Sequence, residues 1–302
     1  MISFEEYEKM VEKSFFDGVE PTSKHKVTIE ELKEMIANKD SNIAYMDVSE
    51  IADMSYLFND SDFGGSWTAD LSGWDTSKVR DMRGMFLDCT NLKEVTLPHT
   101  ENVTNMYGMF EGCASLKEVS LPHTEKVAYM MYMFDGCTSL TKVSLPTTGN
   151  VRDTHSMFSD CVNLIKVDLP HTEKVEHMSV MFSHCTNLKE VNLPHTENVT
   201  HMMYMFNDCT NLKEVTLPHT EKVVDMSAMF NGCEKLNKVE LPNIEKVEHM
   251  RYMFWGCKEL DQDFSAWDIS NIDENHGMFK GCTRMEQSYK NGHNYYPKGY
   301  KA

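Results

Sequence analysis

Residues 113–136 read CASLKEVSLPHTEKVAYMMYMFDG, and the chain repeats that wording in tandem. Cys89, Cys113, Cys137, Cys161, Cys185, Cys209, Cys233 and Cys257 fall 24 residues apart, and Cys282 follows after 25. No cysteine lies outside the series. A strict period of this length means one structural unit copied end to end, which predicts a solenoid.

Other residues keep the same time. Phe86, Phe110, Phe134, Phe158, Phe182, Phe206, Phe230, Phe254 and Phe279 each follow a Met. Leu comes three after each Cys from Leu92 to Leu260, Val three later from Val95 to Val239, then Leu-Pro. The alternating Val-x-Leu predicts a strand, and the Pro ends it because Pro has no N–H for a ladder. The segment V-x-x-M-x-x-M-F predicts an extended piece leading into a tight 3₁₀-like turn. No single copy can bury its Leu, Val, Met and Phe, but stacked copies can. The reading is a mainly β repeat solenoid of about ten 24-residue rungs, on the order of 50 Å long at about 4.8 Å per rung.

The run Cys113 to Pro122, followed by Val127 and Met133-Phe134, resembles the BspA-like (Treponema-type) leucine-rich repeats, with Met in place of the family's Ala before Phe. The end copies, Trp74-Asp75-Thr76-Ser77-Lys78-Val79 and Trp267-Asp268-Ile269-Ser270-Asn271-Ile272, resemble a sister family of bacterial surface-protein repeats. A weaker first copy begins at Asp47 and ends at Leu57-Phe58. The resemblance covers about residues 43–285. It implies a right-handed leucine-rich-repeat solenoid that binds macromolecules, often at cell surfaces.

Solenoids need caps. Residues 4–16 have helical spacing, and Thr28-Ile29-Glu30-Glu31 predicts a capping box opening a second helix to about Asn38. The expected division is an N-terminal helical cap over residues 1–42, the solenoid over 43–285, and a C-terminal cap over 286–302. That last segment is polar, aromatic and mildly basic, and it predicts a cap strand with a frayed tail.

The net charge is −18. Nucleic-acid binders need a basic face, so a nucleic-acid role is disfavoured. Residues 1–100 hold 20 acids against 10 bases, more than half of the excess. The odd cysteine count agrees with a reduced compartment. No run reaches membrane-span length. Met1 to Glu6 lacks the basic start of a secretory signal. The expectation is a cytoplasmic protein, or a surface protein if an export segment has been removed.

Copies within one chain can be compared with each other. Lys93-Glu94, Lys117-Glu118, Lys189-Glu190 and Lys213-Glu214 repeat, predicting a solvated face with columns of like charge. The segment before Met-Phe varies instead. Five before Phe stand Asp81, Asn105, Tyr129, Asp153, His177, His201, Asp225 and His249. Three before stand Arg83, Tyr107, Met131, His155, Ser179, Met203, Ser227 and Arg251, and two before, Tyr132, Tyr204 and Tyr252 alternate with small residues and Val180. Tyr and Arg carry much interface energy. The predicted partner-binding strip is therefore Arg83, Tyr107, Tyr129, Met131, Tyr132, His155, His177, His201, Met203, Tyr204, His249, Arg251 and Tyr252, with a protein as partner and a small molecule disfavoured.

A second column, His99, His123, His171, His195 and His219, follows the ladder prolines and is a weaker candidate for metal binding or a pH response. The copy near residue 150 breaks pattern at Thr147-Thr148-Gly149-Asn150 and Asp153-Thr154-His155-Ser156. No nucleophile elbow, phosphate loop, zinc-helix motif or dinucleotide fingerprint occurs, and no cofactor is implied. Repeats place like groups in rows, whereas catalysis needs unlike groups at one point. The expectation is a non-enzymatic interaction scaffold, in a setting such as an immunity, antitoxin or counter-defence inhibitor. The alternative is a surface adhesin or glycan-binding repeat domain.

Overall fold

Each phenylalanine of the repeat lies on the next. From Phe58 to Phe279 the rings stack in one unbroken column, with centroids 5.1 to 5.6 Å apart. The computed structural model that shows this describes residues 24–61, 67–97, 99–272 and 274–300. The Cys, Leu, Met and Val columns are buried with the rings in one continuous core. This is the solenoid that the period predicts.

The strand side is present but broken. β1 (Trp67–Asp70) pairs with β2 (Leu92–Thr96), β3 (Glu118–Ser120) with β4 (Lys142–Ser144), β5 (Lys166–Asp168) with β6 (Glu190–Asn192), and β7 (Glu214–Thr216) with β8 (Lys238–Glu240), all parallel. The regular part is thus about seven turns, one for each of β2 to β8. The flanking copies that raise the expected number to ten share the Phe column, and among the described residues only the first of them carries a strand, β1.

Within three of the pairs, Glu faces Lys: Glu118 with Lys142, Lys166 with Glu190, and Glu214 with Lys238. The interruptions fall where like charges would meet, at Glu94 and Glu118, Lys142 and Lys166, and Glu190 and Glu214. Like charges directly opposite destabilise a pair. The predicted columns of like charge are therefore corrected to a sign that changes every two rungs, because Lys142 and Lys166 replace Glu.

The opposite side carries the continuous ladder. Each rung donates four backbone N–H groups to the next: Met82, Gly84, Phe86 and Asp88 to the carbonyls of Asn105, Tyr107, Met109 and Glu111, and so on along the rod. Between these bonds the chain makes i+3 turns, such as Met85 N–H to Met82 O and Cys89 N–H to Phe86 O. An ordinary 3₁₀ turn spends its N–H groups along its own axis. Here a left-handed residue recurs at every fourth position, as at Tyr132 and Gly136 or Ser156 and Asp160, and every second N–H faces the neighbouring rung.

The thiol column has a hydrogen-bonding reason. Each Cys Sγ donates to the carbonyl of the previous rung's Phe, as Cys113 to Phe86 at 3.0 Å and Cys161 to Phe134 at 3.1 Å. A small side chain with one weak donor suits a dry site that offers one acceptor. All nine cysteines are free and buried. Buried Thr hydroxyls do the same at the turn, where Thr172 and Thr196 donate to the carbonyls of His195 and His219.

The ends are closed by different devices. Helix α1 (Ile29–Ala37) starts at the predicted capping box, with Thr28 N–H to Glu31 Oε2 at 2.7 Å and Glu31 N–H to Thr28 Oγ1 at 3.2 Å. It buries Leu32, Met35 and Ile36 in the core. The expected helix over 4–16 lies outside the described residues. At the other end Gln262 imitates a strand: its Oε1 accepts the Val239 N–H and its Nε2 donates to the Val239 carbonyl, both at 2.8 Å. That satisfies the outer edge of β8. The expected C-terminal cap strand is instead helix α2 (Thr283–Lys290), with Met285 buried. The Leu-x-x-Val strand pattern stops there, and Glu286 and Lys290 suit the two ends of a helix dipole. Residues beyond it return to the core: Phe264 N–H donates to the Tyr295 carbonyl, Lys298 pairs with Asp268 in a bridge, and Tyr296 and Tyr300 pack on Phe279.

Two outcomes follow from this packing. Phe158→Ala should cost about 3–5 kcal/mol, read from the shift of a urea unfolding curve. The thiols should resist alkylation in the native protein at about pH 8, and all nine should react after unfolding. Burial first pushes the Cys89 and Cys282 thiols up from the ordinary 9.0 to about 12. The unfolded chain therefore releases these protons first, so stability should fall as pH rises from about 9 towards 12.

Candidate functional site

The predicted strip is the outer face of the continuous ladder. The residues five before Phe, from Asp53 through Tyr129 and His201 to Glu274, bridge in register from rung to rung. The Met residues four and one before Phe point into the core, so the residues five and three before Phe point outward. Tyr129 is 49% exposed and Tyr204 39%. Arg83 and Arg251 are exposed, while Tyr107, Met131, Tyr132, His155, His177, His201, Met203, His249 and Tyr252 are half-buried.

The strip divides into groups. Tyr107, Tyr132 and His155 form a chain of ring contacts at 5.5 and 5.2 Å. His177 and His201 lie 5.1 Å apart. Tyr252 touches Trp255 and His276, both at 5.0 Å. Glu274 holds His249 at 3.1 Å and Arg251 at 3.0 Å, so the charge of Arg251 is answered within the protein. Tyr56, Trp255 and His276 belong to the same surface and escaped the sequence reading. Tyr56 and His276 were open to it, since they stand two and three before Phe58 and Phe279 in weaker copies.

At two positions these side chains depart from the choice the local backbone favours. Where Asp81, Asn105, Asp153 and Asp225 stand five before Phe, the side-chain oxygen accepts the N–H two residues on, at 2.8 to 3.1 Å. Tyr129, His177, His201 and His249 have no carbonyl or carboxylate for that bond and give up the cap. The residues two before Phe all lie near φ +50 to +65°, from Tyr56 to Gly277. Gly fits this conformation freely, yet Tyr132, Val180, Tyr204 and Tyr252 occupy it. Tyr56 and Tyr252 lie over Gly84 and Gly277 of the next rung, where a Cβ would come within 2.4 and 2.7 Å of the ring. A bulky left-handed residue costs about 1–2 kcal/mol.

An acidic edge runs beside the strip, with Asp60, Asp88, Glu111, Asp135, Asp160 and Asp208 one or two after Phe. Burial, then the Asp135 and Asp88 carboxylates, push the Glu111 carboxyl up from its ordinary range. Burial, then Asp160, do the same to Asp135 despite a bond from Ser159. His184 sits between Asp160 at 3.3 Å and Asp208 at 3.4 Å.

The other sequence candidates are otherwise occupied. Each His that follows a ladder proline lies 3.3 to 3.9 Å from the Glu two residues later, as His171 with Glu173 and His99 with Glu101. Among the described residues no group of three or more His, Cys, Asp or Glu converges to hold a metal. Asp153 is spent on the His155 N–H. In the irregular copy, buried Thr154 fills the Met position and donates to the His177 carbonyl. No helix among the described residues is long and apolar enough to cross a membrane.

A stacked core with the Cys-Leu-Val-Leu and Met-Phe columns defines a leucine-rich-repeat scaffold. The family model described as Mycoplasma protein of unknown function, DUF285, matches residues 9–118 and 176–292, and the chain belongs to that family. The BspA type leucine rich repeat region matches residues 82–178 and 109–228, six copies in all. Among solved structures, a T. pallidum leucine-rich repeat protein is 33% identical, over 51% of this chain and 69% of its own, with a TM-score of 0.41. A leucine-rich repeat protein from Eubacterium ventriosum is 17% identical over 79% and 70%, with a TM-score of 0.46. The pneumococcal vaccine antigen PcpA is 18% identical over 66% of this chain and 55% of its own, with a TM-score of 0.42. A search of curated proteins finds no match.

The strained column gives a direct test. Val180→Gly should raise the unfolding free energy by about 1 kcal/mol, since it removes a β-branched residue from a left-handed site. Gly136→Ala should lower it, because φ there is +70° and only backbone strain is added. A loss of stability in the Val180 variant would contradict the assignment of strain.

Proposed function

We propose that the protein is an interaction scaffold that binds a protein partner through the outer face of its continuous ladder. The observation that carries this reading is the column of Tyr132, Val180, Tyr204 and Tyr252 held at positive φ where Gly is the unstrained choice. Strain kept in several rungs favours a selected contact surface. Tyr129, Met131 and Tyr132 in one rung, with Met203 and Tyr204 three rungs on, supply large contact areas with few rotatable bonds.

The partner fits best as a basic protein. The acidic edge lies beside the tyrosines, and the net charge of −18 steers cations towards the rod. An inhibitory role, in which an acidic binder covers a basic target as immunity and antitoxin proteins do, is the setting this charge supports. A cytoplasmic location suits such a role and the unpaired thiols.

Affinity capture from native lysate, with the bound protein identified and its affinity then measured, tests the reading. Tyr129→Ala together with Tyr204→Ala should weaken binding on the order of a hundredfold, as two central aromatic anchors imply. Added salt should weaken it further. Unchanged affinity in the double variant would place the interface elsewhere.

A further inference from the structure

The last rung of the ladder opens onto a cleft that the repeat does not build. It holds about 760 Å³ and lies between Tyr252 and the C-terminal segment. Tyr252 forms one wall and lies over Gly277, where any Cβ would come within 2.7 Å of its ring. The other wall is Tyr289 of α2 with Tyr296 and Tyr300, whose neighbouring rings are 5.7 and 5.0 Å apart. Phe279 forms the floor and meets Tyr296 and Tyr300 edge-on at 5.5 and 5.2 Å.

The lining is chemically selective. Among the described residues no Leu, Ile, Val or Met lines it. The rim carries a cation, Lys280, an anion, Glu286, and two groups that both donate and accept, His276 and Asn294. Asn294 Oδ1 already takes the Tyr296 N–H, which leaves the amide as a donor. Burial, then Tyr300, hold the Tyr296 phenol up at about 12, so it stays protonated. Tyr289 is 57% exposed, so its ring is available to a ligand.

From these features we infer that the cleft binds an uncharged oligosaccharide, with pyranose faces on the tyrosine rings and hydroxyls on the Glu286, Asn294 and Lys280 rim. An apolar ligand would strip water from Glu286 and Lys280 without replacing it. Glu286 Oε1 accepts the Gly281 N–H at 3.3 Å, and a polyproline helix, which presents chiefly carbonyl acceptors, would offer no donor to its Oε2. A sugar hydroxyl donates and accepts, and its ring offers a flat apolar face to an aromatic side chain. This site shares Tyr252 and His276 with the end of the strip, but its opposite wall, Tyr289, Tyr296 and Tyr300, lies outside it.

The test is calorimetric titration of the full chain with maltotriose, cellotriose and chitotriose, with decaproline as the competing class. At least one trisaccharide should bind at millimolar concentration or better. Tyr289→Ala should weaken it about tenfold, while Tyr289→Phe, which keeps the ring, should weaken it far less. Glu286→Gln should weaken it severalfold. Tyr129→Ala with Tyr204→Ala should leave it unchanged, which separates this site from the strip. No binding by any of the three sugars, equal binding by the Tyr289→Ala variant, or binding of decaproline alone would overturn the inference.

Discussion

The phenylalanine is where one turn of this chain is joined to the next. Its N–H donates to the Met carbonyl of the following rung, as Phe86 does to Met109 at 2.9 Å. Its own carbonyl accepts the N–H of the Cys three residues on and the thiol of the next rung's Cys. Its ring lies within a few degrees of parallel to both neighbours through the middle of the rod. Changing the repeat length by one residue would move all three at once, and this explains why the spacing of 24 is held so strictly. The extra residue before Phe279 is absorbed at the last rung, where the adjoining strand side is closed by Gln262.

This arrangement divides labour between the inside and the outside of the rod. Inside, every rung must present the same ring, thiol and thioether, since a different volume would disturb two neighbours. Outside, residues five, three and two before Phe touch the core little and are free to differ. The chain uses that freedom unevenly. Some rungs take the inexpensive choice, Asp or Asn as a cap and Gly at the left-handed site. Others carry Tyr, His or Val there and accept the cost. In the function proposed above, the second group is what separates this rod from a purely structural spacer.

The core was legible because burial is periodic. Phe, Cys, Leu and Val columns needed only the period, and Thr28 with Glu31 announced its helix by the spacing of two side chains. What could not be read depends on peptide orientation. Nothing in Met-x-x-Met-Phe says that the residues two before and two after Phe are left-handed, because Tyr132 and Val180 are residue types that avoid that conformation. The division of the strand side into pairs was readable in principle, since Lys142 and Lys166 break the Glu column, but the more numerous Lys-Glu copies concealed it. Gln262 and α2 were missed because a cap occurs once and leaves no pattern. The outer face of the ladder was legible as variation between copies. Trp255 and the C-terminal cleft were not, since they arise where the repeat stops.

Amide hydrogen exchange, resolved by residue, tests the central claim most directly. The account predicts that Phe110, Gly112, Phe134, Gly136, Phe158 and Asp160, which donate from rung to rung, are the slowest amides and open together. Amides at the interrupted strand side, such as those of Glu118 and Lys166, should exchange faster. If the strand side proved the slowest and the Phe series exchanged as open turns do, the phenylalanine junction would not be what holds the solenoid together.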